Sequence, residues 1–156
     1  MGATSDWSPM LKTVPALLTP ELLHSLALMG HGDVLAIVDR NYPAAANHPR
    51  VHPLAGADVV QAARAVLRLL PVDDFIEPAA YRMVPDGGLT DPVGAHVEFG
   101  TAVVAAEGRP VLLEPVGRTA FYDLARSAFA VVTTSETRPY SCFLLVKGVV
   151  TASDDA

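Results

Sequence analysis

The side chains of this chain that could move protons or grip hydroxyl groups fall in a few separated stretches. The first runs Met29-Gly30-His31-Gly32-Asp33, passes through the apolar Val34–Val38, and leaves through Asp39-Arg40-Asn41-Tyr42-Pro43. His31 lies between two glycines where a helix stops and a strand begins. Imidazole changes charge near neutral pH, so it can take and return a proton. The plainer reading is that His31 satisfies the last carbonyls of the preceding helix. Asp39 ends an all-apolar strand, where a charge needs a partner or solvent. Ligand sites in α/β sheets lie beyond the carboxyl ends of strands, which is where Asp39 falls; its plainer reading is a loop cap. Arg118 stands between a strand and a helix, and its fork of donors suits hydroxyls or carboxylates. Tyr122 is a core position of that helix on pattern alone. Tyr140 follows Pro139 in a loop between strands and is harder to account for as packing.

Other polar residues read more blandly. His48 and His52 have the i, i+4 spacing that binds zinc on a helix, but Pro49 and Pro53 oppose a helix there and no third ligand is near in sequence. His24 and His96 read as surface positions of helices, and Asp73-Asp74 as a solvated turn. The chain has no phosphate-binding glycine loop, Walker lysine, nucleophile elbow or paired-cysteine motif. Chemistry here works by proton transfer and positioning, with no cofactor and no metal expected.

The elements that must carry these groups follow from pattern. Thr19 as N-cap, Pro20 at the first helical position and Glu21 at the positive end of the dipole begin a helix that Gly30 closes. Val34–Val38 is apolar throughout, as in a strand covered on both faces. Pro43, Pro49 and Pro53 argue against a helix over residues 40–55. A helix is predicted over Ala57–Leu70, stopped by Pro71. A strand is predicted over 79–84, closed by the turn Pro85-Asp86-Gly87-Gly88. A further helix is indicated by Val93, Val97 and Val104, with Gly94 and Gly100 against it. Strands over Val111–Val116, Ala130–Thr133 and Phe143–Val150, with a helix over Thr119–Phe129, complete the pattern. The alternation predicts one α/β domain on a largely parallel sheet with helices on both faces. Residues 1–9 differ in character from the rest, so a disordered extension is expected before a domain over 10–151.

Composition narrows the partners. The 156 residues are 51% hydrophobic and 6% aromatic, so the core is built mainly from Ala, Val and Leu. Mean hydropathy of +0.32 argues against disorder. A net charge of -6 without a Lys/Arg cluster disfavours nucleic acid and anionic membranes as partners. The apolar runs are strand-length, far short of the ~20 residues of a membrane span. One cysteine, Cys142, excludes an internal disulfide. No basic and apolar leader opens the sequence, and a cytoplasmic protein is expected.

Taken in order, Gly30-His31-Gly32-Asp33, Asp39-Arg40-Asn41-Tyr42-Pro43, Arg118-Thr119-Ala120-Phe121-Tyr122, Pro139-Tyr140 and Lys147-Gly148-Val149 resemble the RbsD/FucU sugar mutarotases, from about Leu11 to Val149. Gly32, Asn41, Arg118 and Tyr122 look like the fucose branch rather than the ribose pyranases. The chain departs from that pattern where Arg40 replaces Ala, Tyr42 replaces Phe, and Tyr140-Ser141-Cys142 replaces Tyr-Gly-Asn or Tyr-Ala-Asn. The resemblance implies interconversion of the α and β anomers of a free monosaccharide, L-fucose first. His31 would be the principal acid/base, with Tyr122 or Tyr140 as its partner. Asp39 and Arg118 would orient the sugar, and Arg40 and Cys142 would border it. It further implies a ring-shaped homo-oligomer, often a decamer, with sites near subunit contacts. The rivals are a ribose pyranase or mutarotase of another sugar, and a sugar-binding protein without catalysis.

Overall fold

Val34–Val38 (β1) is buried on both sides because its alternate residues serve two different layers. Leu35 and Ile37 pack into one core with Leu22, Leu26, Val59, Val66, Phe99 and Val103. Ala36 and Val38 pack into a second core with Phe121, Ala125 and Tyr42. The structure, a computed structural model, describes residues 11–155, so the extension expected over 1–9 lies outside the described residues.

Six strands form one sheet: β1, Val51–Leu54 (β2), Ala80–Val84 (β3), Glu114–Gly117 (β4), Ala130–Thr134 (β5) and Phe143–Val146 (β6). Their order is β2-β5-β1-β6-β3-β4. β2, β5 and β1 pair in parallel, as do β3 and β4, while β6 lies antiparallel between β1 and β3. The sheet is thus largely parallel with one reversed strand near its middle. Helices Pro20–Leu28 (α1), Val59–Leu67 (α3) and His96–Glu107 (α4) cover one face. The short Ala44–Asn47 (α2) and Arg118–Ala125 (α5) supply residues to the other. This is the mixed α/β domain with both faces covered.

The caps explain the helix starts. Thr19 accepts from the Leu22 amide, and Asp58 with Gln61 forms a reciprocal capping box for α3. Several boundaries differ from expectation. α1 ends at Met29 rather than Gly30, β4 begins at Glu114, α5 ends at Ala125, and β6 stops at Val146 before a single bridge from Lys147 to Val72. The larger correction concerns residues 40–55, which hold both α2 and β2. β2 tolerates Pro53 because it is an edge strand, where a missing N–H costs no ladder bond. Pro115 sits likewise in β4, the other edge.

Candidate active site

Strand direction decides what can meet. β1, β3 and β4 run parallel, so Asp39, Met83 and Arg118 come to one edge of the sheet, at or just beyond their carboxyl ends. β6 runs the other way, so its entry segment Pro139–Cys142 arrives at that same edge. There a cavity of about 310 Å³ is lined by Asp39, Asn41, Tyr42, Met83, Arg118, Tyr122, Pro139, Tyr140 and Cys142. Of the residues singled out from sequence, it gathers Asp39, Arg118, Tyr122, Tyr140 and Cys142. Arg40 is exposed beside it and does not line it.

The wall combines acceptors, donors and flat apolar surface. Asp39 is buried, and its carboxylate accepts from the Asn41 amide (3.0 Å). The Asp39 amide points at Cys142 Sγ (3.5 Å). Burial, with the Asp39 charge close by, pushes the Cys142 thiol well up, so it is a neutral floor and no nucleophile. The Arg118 guanidinium lies over the Tyr122 ring, 4.9 Å from its centre, and lines the cavity. Tyr42 packs edge-on against Tyr122 and Phe121. Burial and the neighbouring Cys142 and Tyr122 raise its hydroxyl to about 12, so it stays protonated.

Tyr140 is held in an uncommon backbone conformation, φ +55°. What holds it is His96, which sequence pattern places at the surface and the structure buries. Its Nδ1 accepts from the Val93 amide (3.0 Å), so the proton is on Nε2, which donates to the Tyr140 carbonyl (2.9 Å). Burial first, and the nearby Arg82 charge, lower the His96 pKa and keep the ring neutral for this task. Ser141 Oγ accepts from the Ala95 amide and donates to the Pro139 carbonyl. Glu136 anchors the other end of the loop. It accepts from Arg138 and from the Val59, Thr137 and Arg138 amides; the Arg138 side chain first, with the Arg138 and Val59 amides, outweighs burial and brings its carboxyl down to about 2.

His31 does not share this cavity. It precedes β1 while Asp39 follows it, and the strand between them spans roughly 17 Å at 3.3 Å per residue. Its Nε2 meets Asp73 Oδ1 at 2.9 Å, its ring stands edge-on to Phe75, and its side chain is 43% exposed. Asp73 is thus a buried carboxylate rather than part of a solvated turn. Burial pushes the Asp73 carboxyl up, but the hydrogen bonds from His31 and from the Phe75 and Ile76 amides outweigh this and hold it below its usual value. A partly exposed histidine oriented by a buried carboxylate is arranged as a proton acceptor and donor.

The remaining histidines occupy separate surroundings. His48 Nε2 is joined to Tyr42 Oη (2.8 Å) and His52 Nε2 to Ser25 Oγ (2.7 Å), so the two do not share a ligand. Asn41, Tyr42, Met83 and Pro139 complete the cavity without having been singled out as binding residues. Asn41 and Tyr42 are at least signalled by their place just past the carboxyl end of β1.

A model of the RbsD / FucU transport protein family matches residues 12–150. The chain is 42% identical to the human (Homo sapiens) fucose mutarotase over 148 residues, 90% of this chain and 94% of that protein. It is 35% identical to the L-fucose mutarotase of Glaesserella parasuis, covering 94% of this chain and all of that one. The crystal structure of the fucose mutarotase of Streptococcus pneumoniae in complex with L-fucose superposes with a TM-score of 0.80 at 28% identity, over 90% of this chain and 100% of that one.

Proposed function

This chain belongs to the RbsD / FucU family, and we propose on that footing that it is a mutarotase interconverting the anomers of free L-fucose. The observation that carries the reading is the content of the 310 Å³ cavity: a carboxylate, a guanidinium fork and tyrosine hydroxyls around an apolar floor, with no nucleophile. That wall suits a small polyol with an apolar face. Its relatives' names supply the sugar.

Anomer exchange needs a base to take the proton from the anomeric hydroxyl while an acid protonates the ring oxygen. The hemiacetal C–O bond then breaks, the aldehyde carbon rotates, and the same groups reverse their roles as the ring recloses. Asp39 and Arg118 hold sugar hydroxyls, one by accepting and the other by donating. Tyr140, on its strained loop, and Tyr122 are the hydroxyl acid/base candidates from the cavity itself. His31 is the imidazole partner, and because it lies at the other edge of the sheet it serves a cavity of a second copy.

That arrangement requires a homo-oligomer, for which we propose a ring of the kind the resemblance implies. Apolar side chains stand ready for such contacts: Phe75 (70% exposed) and Ile76 beside His31, and Val97 and Leu112 along α4 and the approach to β4. The protein is proposed to act in the cytoplasm.

Saturation-transfer NMR of L-fucose, with D-ribose and D-galactose alongside, tests the reading. Exchange is expected to accelerate for L-fucose and to fall by about 10²-fold or more in His31→Ala and Tyr140→Phe. Unchanged rates in both variants would overturn the assignment. A second reading, a sugar-binding protein without catalysis, is favoured by the absence of histidine among the cavity residues of a single chain. It predicts saturable binding with no acceleration. A light-scattering mass of one chain would remove the shared site.

A further inference from the structure

The resemblance puts Phe where this chain has Tyr42. As far as packing goes, a phenyl ring would serve equally, edge-on to Tyr122 at 5.4 Å and Phe121 at 6.2 Å. The hydroxyl is therefore an addition, and it comes with a buried partner. Tyr42 Oη and His48 Nε2 lie 2.8 Å apart, and His48 is 7% exposed. Its other nitrogen, Nδ1, has no hydrogen-bond partner among the described residues.

Counting hydrogens favours one donor over the other. Burial lowers the His48 pKa and keeps the ring neutral, so the pair holds two polar hydrogens, one on oxygen and one on a ring nitrogen. The contact between them uses one. If Tyr42 donated, the ring hydrogen would sit on Nδ1 and face the interior with no acceptor, an arrangement that buried donors rarely adopt. If Nε2–H donates to Oη, Nδ1 is left as a bare lone pair, and the Tyr42 hydrogen turns away from His48. Tyr42 is a wall residue of the 310 Å³ cavity, so an acceptor is available to that hydrogen when a ligand fills it.

We propose that His48, by donating from Nε2 to Tyr42 Oη, makes the Tyr42 hydroxyl a neutral donor into the cavity and thereby a specificity-determining residue for the sugar. This rests on the reading of the cavity as a monosaccharide site. The donor differs in kind from its neighbours. Asp39 as carboxylate only accepts, and Arg118 donates as a cation. Tyr42 supplies an uncharged donor for a hydroxyl or ring oxygen of the sugar. His48 touches no sugar; it positions.

The first test needs no variant. Nitrogen-detected NMR of histidine-labelled protein without sugar reads which ring nitrogen of His48 carries the proton. Nε2 protonated is expected, and Nδ1 protonated overturns the proposal whether or not the protein turns over any sugar. The second test reads L-fucose exchange kinetics in Tyr42→Phe, His48→Leu and His48→Gln. Loss of one neutral hydrogen bond is expected to raise KM about fivefold in Tyr42→Phe and in His48→Leu, with the change in KM exceeding any change in kcat. His48→Gln, which keeps an N–H donor, is expected to recover most of that loss. In the Tyr42→Phe background His48→Leu is expected to add nothing to KM. Melting temperatures that fall while KM stays put would reduce His48 to packing and overturn the proposal. Failure of the wild-type protein to bind or turn over L-fucose would instead strike the proposed function, leaving the hydrogen placement to be judged by the NMR.

Discussion

Gly94 offers a way to disturb the cavity without touching any group that faces the sugar. It precedes α4 with φ +53°, a conformation that side chains disfavour by about 1–2 kcal/mol. A Cβ there would collide with the Pro139 carbonyl oxygen and lie 2.6 Å from Ser141 Oγ, about 0.8 Å inside ordinary contact. The carbonyl belongs to backbone and cannot swing aside like a side-chain tip, so Gly94→Ala must push the loop that carries Tyr140. The same push strains the hydrogen bonds from the Ala95 amide to Ser141 and from His96 to the Tyr140 carbonyl. The expected loss of stability is about 2–3 kcal/mol, a fall in Tm of roughly 4–12 °C for a domain this size. A displacement of this order at a reacting group costs up to about 10²-fold in rate. Calorimetry together with L-fucose exchange NMR checks both. A Gly94→Ala protein with native Tm and native exchange rate would refute the claim that Tyr140 is held from α4's side.

Further outcomes follow from the burial and charge of other residues. Glu136→Gln removes the charge that Arg138 and the loop amides hold, at a cost of about 1–3 kcal/mol at neutral pH. The folded-state carboxyl lies near 2, below its unfolded value of 4.5, so the wild-type advantage is present above 4.5 and is lost as pH falls toward 2. Urea unfolding from pH 7 to 2.5 should show the gap closing, and a constant gap would contradict the assignment. Phe99→Ala breaks the 3.7 Å stack on Phe143, both rings being fully buried, and should cost about 3–5 kcal/mol by denaturant titration. Cys142→Asn places an amide where the thiol now forms a neutral floor, and titration should show L-fucose bound about fivefold more tightly. An unchanged affinity would mean that no sugar hydroxyl approaches position 142.

How far the sequence discloses this molecule depends on how local each signal is. β1 is legible because five consecutive apolar residues, too few for a helix of ordinary length, suit a strand covered on both faces. α1 is legible from Thr19 and Pro20, and α3 from the helical spacing of its apolar residues and its stop at Pro71, all signals that lie within a turn or two. β2 is hidden because Pro53 reads as a breaker until the sheet order makes its strand an edge. Buried polar residues are hidden for a related reason. Asp73 finds its partner His31 42 residues away and His96 finds the Tyr140 carbonyl 44 away, so neither burial has a local signature. The cavity residues Asp39 and Arg118 stand out in sequence because they sit where apolar strands give way to polar loop or helix.

His31 shows where motif order misleads about distance. Gly30-His31-Gly32-Asp33 and Asp39 are neighbours in the chain, and a short loop would let them share one site. Five of the intervening residues, Val34–Val38, are extended strand, and that extension sets His31 and Asp39 at opposite ends of β1. Folding within one chain cannot undo that, because β1 is locked on both sides by β5 and β6. The imidazole held by a buried carboxylate at one edge, and the cavity proposed to bind the sugar at the other, would be complementary halves only where a second copy brings its first edge to the other's second. The geometry thus makes any activity that uses both halves conditional on assembly. His31→Ala and Tyr140→Phe chains mixed under conditions that allow subunit exchange should then recover exchange in the fraction of contacts that pair two intact halves. Mixed chains that stay as inactive as either alone would show that the two residues serve one site within a single copy or none at all.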